Sequence, residues 1–114
     1  MVRVELHRLR DDGTLAGFVV RGHAGRGYRG TDIVCAGVSA LTTATVLGLQ
    51  ARLGLEPEVE KDGDKGYLRC GLDPKAVPPE LWARAQDLLE TMALALRQIA
   101  EDYPKNVRVE EVAV

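Results

Sequence analysis

One pair of residues in this chain has the types and spacing for nucleophilic chemistry: His23, which ends a predicted strand, and Cys35, twelve positions on, which the sequence places in the first turn of a helix. A thiol attacks as its thiolate, and an ordinary cysteine, with a pKa of about 8.5, is mostly protonated near neutral pH. A helix N-terminus carries roughly half a positive charge and unpaired backbone N–H groups, and an imidazolium within reach adds a full charge, so both stabilise a thiolate. If the intervening loop folds back, His23 becomes the base for Cys35. Helix N-terminal amides, that of Cys35 included, then receive the oxyanion formed at an attacked carbonyl. Asp32 is placed either to cap the helix or to orient the imidazole. The same spacing also suits a plain structural reading, with Cys35 a small buried hydrophobe, His23 a loop residue and Asp32 only a cap.

The remaining candidates carry less. Cys70 lies between Leu68 and Leu72 on an apolar strand face and reads as core, while His7 shares an outer face with Arg3 and Glu5 and reads as a solvated surface residue. Gly25 to Gly30 spells G-x-G-x-x-G, but a dinucleotide fingerprint opens its helix directly inside a parallel βαβ unit, and here the glycines sit in a longer loop after a hairpin. A zinc site from His7, His23, Cys35 and Cys70 lacks any C-x-x-C or H-x-x-x-H pair to hold two ligands together. A redox-sensing thiol needs a resolving partner, and Cys70 is expected to be buried. No metal or cofactor is expected.

The elements that must position the pair follow from periodicity. Val2, Val4 and Leu6 alternate with Arg3, Glu5 and His7 in a half-buried strand, Asp11-Asp12-Gly13 is a hairpin turn, and a second strand runs from about Leu15 to Gly22. The loop GHAGRGYRG is too rich in glycine for a helix or a packed strand. Thr31 and Asp32 then cap a helix running to Leu53 that is small or apolar on nearly every side, hence central and buried. Pro57 to Lys61 and Gly66 to Leu72 form a second hairpin around Asp62-Gly63-Asp64-Lys65, with Leu68, Cys70 and Leu72 on its buried face. Pro78-Pro79 opens a second helix whose inward residues are Leu81, Ala85, Leu88, Met92, Leu96, Ile99 and Tyr103. Pro104 ends it, and Asn106 to Val112 is a last strand. The expected fold is α+β, a two-layer sandwich of two helices on a mostly antiparallel sheet in the order ββαββαβ.

At 114 residues the chain is expected to be a single domain, 1–114. A 46% hydrophobic and 28% charged composition is that of a globular protein. The net charge of −2 lacks the basic excess of a nucleic-acid binder, so direct nucleic-acid binding is not expected. The alternating N-terminus does not read as a signal peptide, and no apolar run approaches the ~20 residues of a membrane span. Both cysteines are therefore read as thiols of a reducing cytoplasm, with no membrane partner.

The segment GHAG followed by GTDIVCAGVSAL, within Gly22 to Leu41, resembles the ribosomal-processing cysteine protease family Prp. The resemblance implies a cytoplasmic, homodimeric cysteine endopeptidase that removes an N-terminal extension from a precursor of a large-subunit ribosomal protein during ribosome assembly. It assigns Cys35 as nucleophile, His23 as general base and Asp32 as a supporting residue, and puts Gly22, Gly25 and Gly30 in a loop that orders around substrate. Tyr28, in the same loop, is a candidate substrate contact. The loop from Ala24 to Gly30 is accordingly expected to be disordered without substrate. Gly37 departs from the family pattern, where alanine is expected. The alternative is a non-catalytic ribosome-assembly factor that uses Arg26 and Arg29 to touch RNA or a ribosomal protein.

Overall fold

The computed structural model describes residues 1–22 and 29–114, with 29–32 described by their backbone alone. Strands β1 (Val2–Arg8), β2 (Leu15–Arg21), β3 (Glu58–Asp62), β4 (Tyr67–Gly71) and β5 (Val107–Ala113) form one sheet in the order β3-β4-β2-β1-β5. Helices α1 (Arg29–Leu47) and α2 (Pro79–Asp102) complete the expected ββαββαβ order. All pairings are antiparallel except β1 with β5, which the long α2 return makes parallel.

Period-two alternation decides which face is buried. Register aligns Leu6, Phe18 and Cys70 in one cross-strand row and Val4, Val20 and Leu68 in the next. Val34 and Val38 of α1, with Ala85, Leu89, Met92, Ala93 and Leu96 of α2, join these strand residues in one core. The cover stops short of the sheet edge: Val59 of β3 pairs with Cys70 yet remains 39% exposed. The outer face carries charged side chains, among them Arg3, Arg69 and Arg108.

The first hairpin turns as its sequence requires. Gly13 adopts a left-handed conformation (φ 74°), and Asp12 Oδ1 accepts the Thr14 N–H at 2.9 Å. Gln86 of α2 clips the adjoining strand by accepting the Leu15 N–H and donating to its carbonyl, at 2.7 and 2.8 Å.

Several sequence expectations require correction. α1 begins at Arg29, ahead of the expected cap, so Thr31 and Asp32 are its third and fourth residues and do not cap it. Its last stretch widens into a π-helical turn, Gly48–Arg52, closed by the Leu55 N–H on the Leu49 carbonyl and by Gly54 at φ 66°. The helix is also buried on one side only, since Ile33 is 66% and Leu47 56% exposed. By length and composition Ile33–Arg52, 20 residues of mean hydropathy 1.6, is able to cross a membrane, contrary to the sequence reading. Here Val34, Val38, Val46 and Leu49 instead pack into the core. On α2 the expected Ala85, Met92 and Leu96 are buried and Leu89 and Ala93 join them, while Leu81, Leu88 and Ile99 are half-buried and Tyr103, just past the helix end, is exposed.

Candidate active site

The site is built where β2 ends. Gly22 follows Arg21 with φ +87°, a conformation that side chains resist, and a Cβ there would meet the Met1 carbonyl oxygen at 2.5 Å. Its N–H donates to the carbonyl of Gly66 at 2.9 Å. Gly66, itself left-handed at φ +61°, lies at the tip of the β3–β4 hairpin, so this bond ties the hairpin tip to the end of β2. On the other side α1 runs past the same point.

Between them lies a cleft of about 180 Å³. Cys35 lines it, half-buried, together with Gly22, Ser39 and Thr43 on one side and Lys61, Gly66 and Tyr67 on the other. Its deeper wall includes Val2, Val20 and Val38 of the core and the buried Thr42, whose hydroxyl donates to the Val38 carbonyl at 2.9 Å. A larger groove, about 750 Å³, borders His7, Arg69, Leu72 and Val77 but contains neither cysteine. Size therefore does not locate the chemistry, and the thiol does.

Cys35 is the seventh residue of α1, one turn deeper than the sequence suggests. The amides left without an intrahelical acceptor lie at the start of the first turn, ahead of Asp32, so the Cys35 N–H belongs to the helical ladder. Asp32 sits in the first turn, three residues before Cys35, and Gly30 lies within the helix instead of the preceding loop. Gly22 is an anchored strand end. His23, Gly25 and Tyr28 lie outside the described residues, as does most of the Ala24 to Gly30 segment.

The two residues read as bystanders also have settled places. Cys70 is buried (1% exposed), and that burial pushes its thiol up to about 11, partly offset by Arg69. His7 is less solvated than expected: it is half-buried, with Nε2 3.3 Å from Glu5 Oε1. Lys61 and Tyr67 were not singled out by sequence reasoning, because an alternating polar hairpin gives no sign of which partner its tip will meet. The glycines at 63 and 66 were its one signal, as marks of a tight tip.

A half-buried thiol lining a cleft on this two-layer frame suits a cysteine nucleophile, and the comparisons show the class to be cysteine proteases. The sequence profile of the family described as Cysteine protease Prp matches residues 1–108. The ribosomal processing cysteine protease Prp of Bacillus subtilis is 36% identical over 109 residues, 96% of each chain, and that of Staphylococcus aureus is 30% identical over 96% of this chain and 97% of its own. A Streptococcus mutans crystal structure superposes with a TM-score of 0.87 at 29% identity, covering 100% of this chain and 96% of that one. The S. aureus Prp bound to a substrate peptide gives 0.84 at 28% identity, over 98% and 100%. The chain belongs to the Prp family of cysteine proteases.

Proposed function

We propose that this chain, acting through residues 1–114 as one domain, is an endopeptidase that removes the N-terminal extension of a large-subunit ribosomal protein precursor during ribosome assembly. Cys35 is the nucleophile, His23 the general base and Asp32 a supporting residue, while Gly22, Gly25, Tyr28 and Gly30 belong to the segment that receives substrate. The observation that carries the reading is that Gly22, the residue directly before His23, lines the same cleft as Cys35. That adjacency in sequence supports reading His23 as the base for Cys35.

The steps balance without an added reagent. His23 takes the Cys35 proton, the sulfur adds to the scissile carbonyl, and collapse of the tetrahedral adduct breaks the C–N bond as the imidazolium protonates the departing amine. Water, deprotonated by His23, then attacks the thioester; the C–S bond breaks, the imidazolium returns its proton to sulfur, and the acid product leaves as a carboxylate after losing its own proton to solvent. The favourable field of a helix N-terminus fades beyond its first turn, and Cys35 stands in the second. Imidazolium is therefore the main stabiliser of the thiolate, and the first-turn amides of α1 are the backbone donors for the oxyanion.

The net charge of −2 supports a protein substrate over direct nucleic-acid binding. The cytoplasm and a homodimer complete the reading, as the resemblance implies. Incubation of the host's ribosomal protein precursor with purified chain tests it: wild type and Cys70→Ala cleave, Cys35→Ala and His23→Ala do not. Cleavage by Cys35→Ala contradicts the assignment, and sedimentation as a monomer at micromolar concentration contradicts the dimer.

A further inference from the structure

Among the described residues, three large apolar side chains are more than half exposed: Leu94 at 68%, Ile33 at 66% and Leu47 at 56%. All three lie on the helices, on the side turned away from the sheet. Single exposed leucines are ordinary on a protein surface, but these belong to a pattern. No charged residue occurs on α1 between Asp32 and Arg52.

The outer side of α1 presents Ile33, Ala36, Ala40, Ala44 and Leu47, all exposed. Their spacing of three, four, four and three makes one stripe of a helix, and it reads the same from either end. Size follows the same symmetry, with alanine at the centre and a large side chain at each end. Such self-matching is what an isologous two-fold interface requires, because the same patch must fit itself reversed. α2 runs antiparallel beside α1, since side chains added at Gly37 and Gly48 would meet Ile99 and Leu88. Leu94 therefore lies level with the middle of the stripe. Asp87 and Glu101, two turns either side of Leu94 and both exposed, give this part of the face an acidic rim.

The area suits a second copy. α1 with its π-helical turn and α2, of 24 residues, are each about 36 Å long and pack about 10 Å apart, so together they present about 700 Å². That approaches the ~800 Å² each partner buries in a stable complex, whereas α1 alone offers about half of it. A lipid surface fits less well, because helices that lie on membranes are rimmed by Lys and Arg and this rim is acidic.

We propose that two copies of the chain pair through this face, with a two-fold axis crossing α1 at Ala40. Ile33 then packs on the partner's Leu47, Ala36 on the partner's Ala44 and Ala40 on the partner's Ala40, while Leu94 comes within about one helical turn of its own mate. The alanines let the two α1 axes approach toward the ~8 Å end of the range for packed helices. This pairing gives the homodimer of the reading above its surface, and it rests on that reading. Cys35 lines its cleft between α1 and the sheet, so pairing leaves the cleft open.

Sedimentation of the full chain over a concentration series tests the pairing, with wild type, Ala40→Glu and Ala40→Lys, the two variants alone and mixed. Wild type is expected to be a dimer. Each variant sets two like charges at the axis and is expected to weaken self-association by roughly tenfold or more. Mixing the variants is expected to restore a dimer, because Glu of one copy then meets Lys of the other, a recovery that misfolded chains do not make. A wild-type dimer that survives both substitutions, or variants that fail to pair when mixed, overturns this face while leaving the homodimer intact. A monomeric wild type overturns both, and a monomer that floats with vesicles of phosphatidylcholine and phosphatidylglycerol assigns the face to lipid instead. Cleavage of the precursor is read in parallel: charge-dependent pairing in a chain that cleaves nothing supports the face and counts against the nucleophile assignment alone.

Discussion

The amide of Gly22 and the carbonyl of Gly66, 2.9 Å apart, join the end of β2 to the tip of the β3–β4 hairpin at the rim of the Cys35 cleft. Both residues are left-handed, and Gly22 also lies against the Met1 carbonyl, so neither its backbone nor its surroundings accept a side chain. Gly22→Ala is expected to cost about 2 kcal/mol or more in urea unfolding and to lower kcat/KM by shifting the residue that follows it. Wild-type stability and activity in this variant contradict the role given to the junction.

Gly37 provides the opposite case. It lies within α1 with a helical backbone, and an added Cβ meets Ile99 Cδ1 at 3.6 Å, an ordinary contact. Gly37→Ala is expected to raise stability by about 0.5–1 kcal/mol through helix propensity, with catalysis unchanged. A loss of stability shows that the α1–α2 contact is tighter than its geometry indicates.

Burial raises the Cys70 thiol from 9.0 to about 11. Unfolding exposes it, so between those values the unfolded chain has lost a proton that the folded chain keeps, and stability falls as pH rises through this window. The full contribution is present below pH 9 and amounts to about 3 kcal/mol. Urea midpoints measured from pH 8 to 11 are expected to fall more steeply for wild type than for Cys70→Ala. Parallel curves contradict the burial of the thiol.

Arg8 gathers three elements at the end of β1. It forms a two-pronged pair with Glu90 of α2 at 2.9 and 3.1 Å, donates to the Gly13 carbonyl at 2.9 Å and pairs with Glu111 of β5. Arg8, and then Arg97, holds the Glu111 carboxyl below its usual range. Stability from this group is present above the ordinary carboxylate value and is lost as pH falls through the lowered one. Arg8→Ala is expected to cost about 1 kcal/mol at pH 7 and to weaken the acid dependence of the unfolding midpoint. An unchanged midpoint at both pH 7 and pH 3 removes the network from the account.

Alternation made the sheet legible, because Val2, Val4 and Leu6 can be buried together only on one face of a strand, and Gly13 marked its turn. The α2 span was bracketed by Pro79 and Pro104. The start of α1 was not legible: Thr31 and Asp32 have the side chains of a cap, but residues as unpromising as Arg29 and Gly30 continue the helix backward, and Cys35 moves a turn inward with them. The π-helical turn has no sequence mark beyond Gly48 and Gly54, and a side chain added at Gly48 would press on Leu88 Cδ1 at 3.0 Å. Local pattern picked out Cys35 and Gly22. Tyr67 reaches the cleft through β2–β4 pairing, a contact between segments some 45 residues apart that no local pattern encodes, and Lys61 follows it through β3–β4 pairing.

The central claim is that Cys35 is activated by His23. It is tested most directly by the rate of iodoacetamide alkylation at each cysteine between pH 5 and 9, in wild type and His23→Ala, read by peptide mass spectrometry. The account predicts rapid labelling of Cys35 below pH 7 in wild type, lost in His23→Ala, with Cys70 protected throughout. Labelling of Cys35 that follows an ordinary thiol and is indifferent to His23 contradicts it.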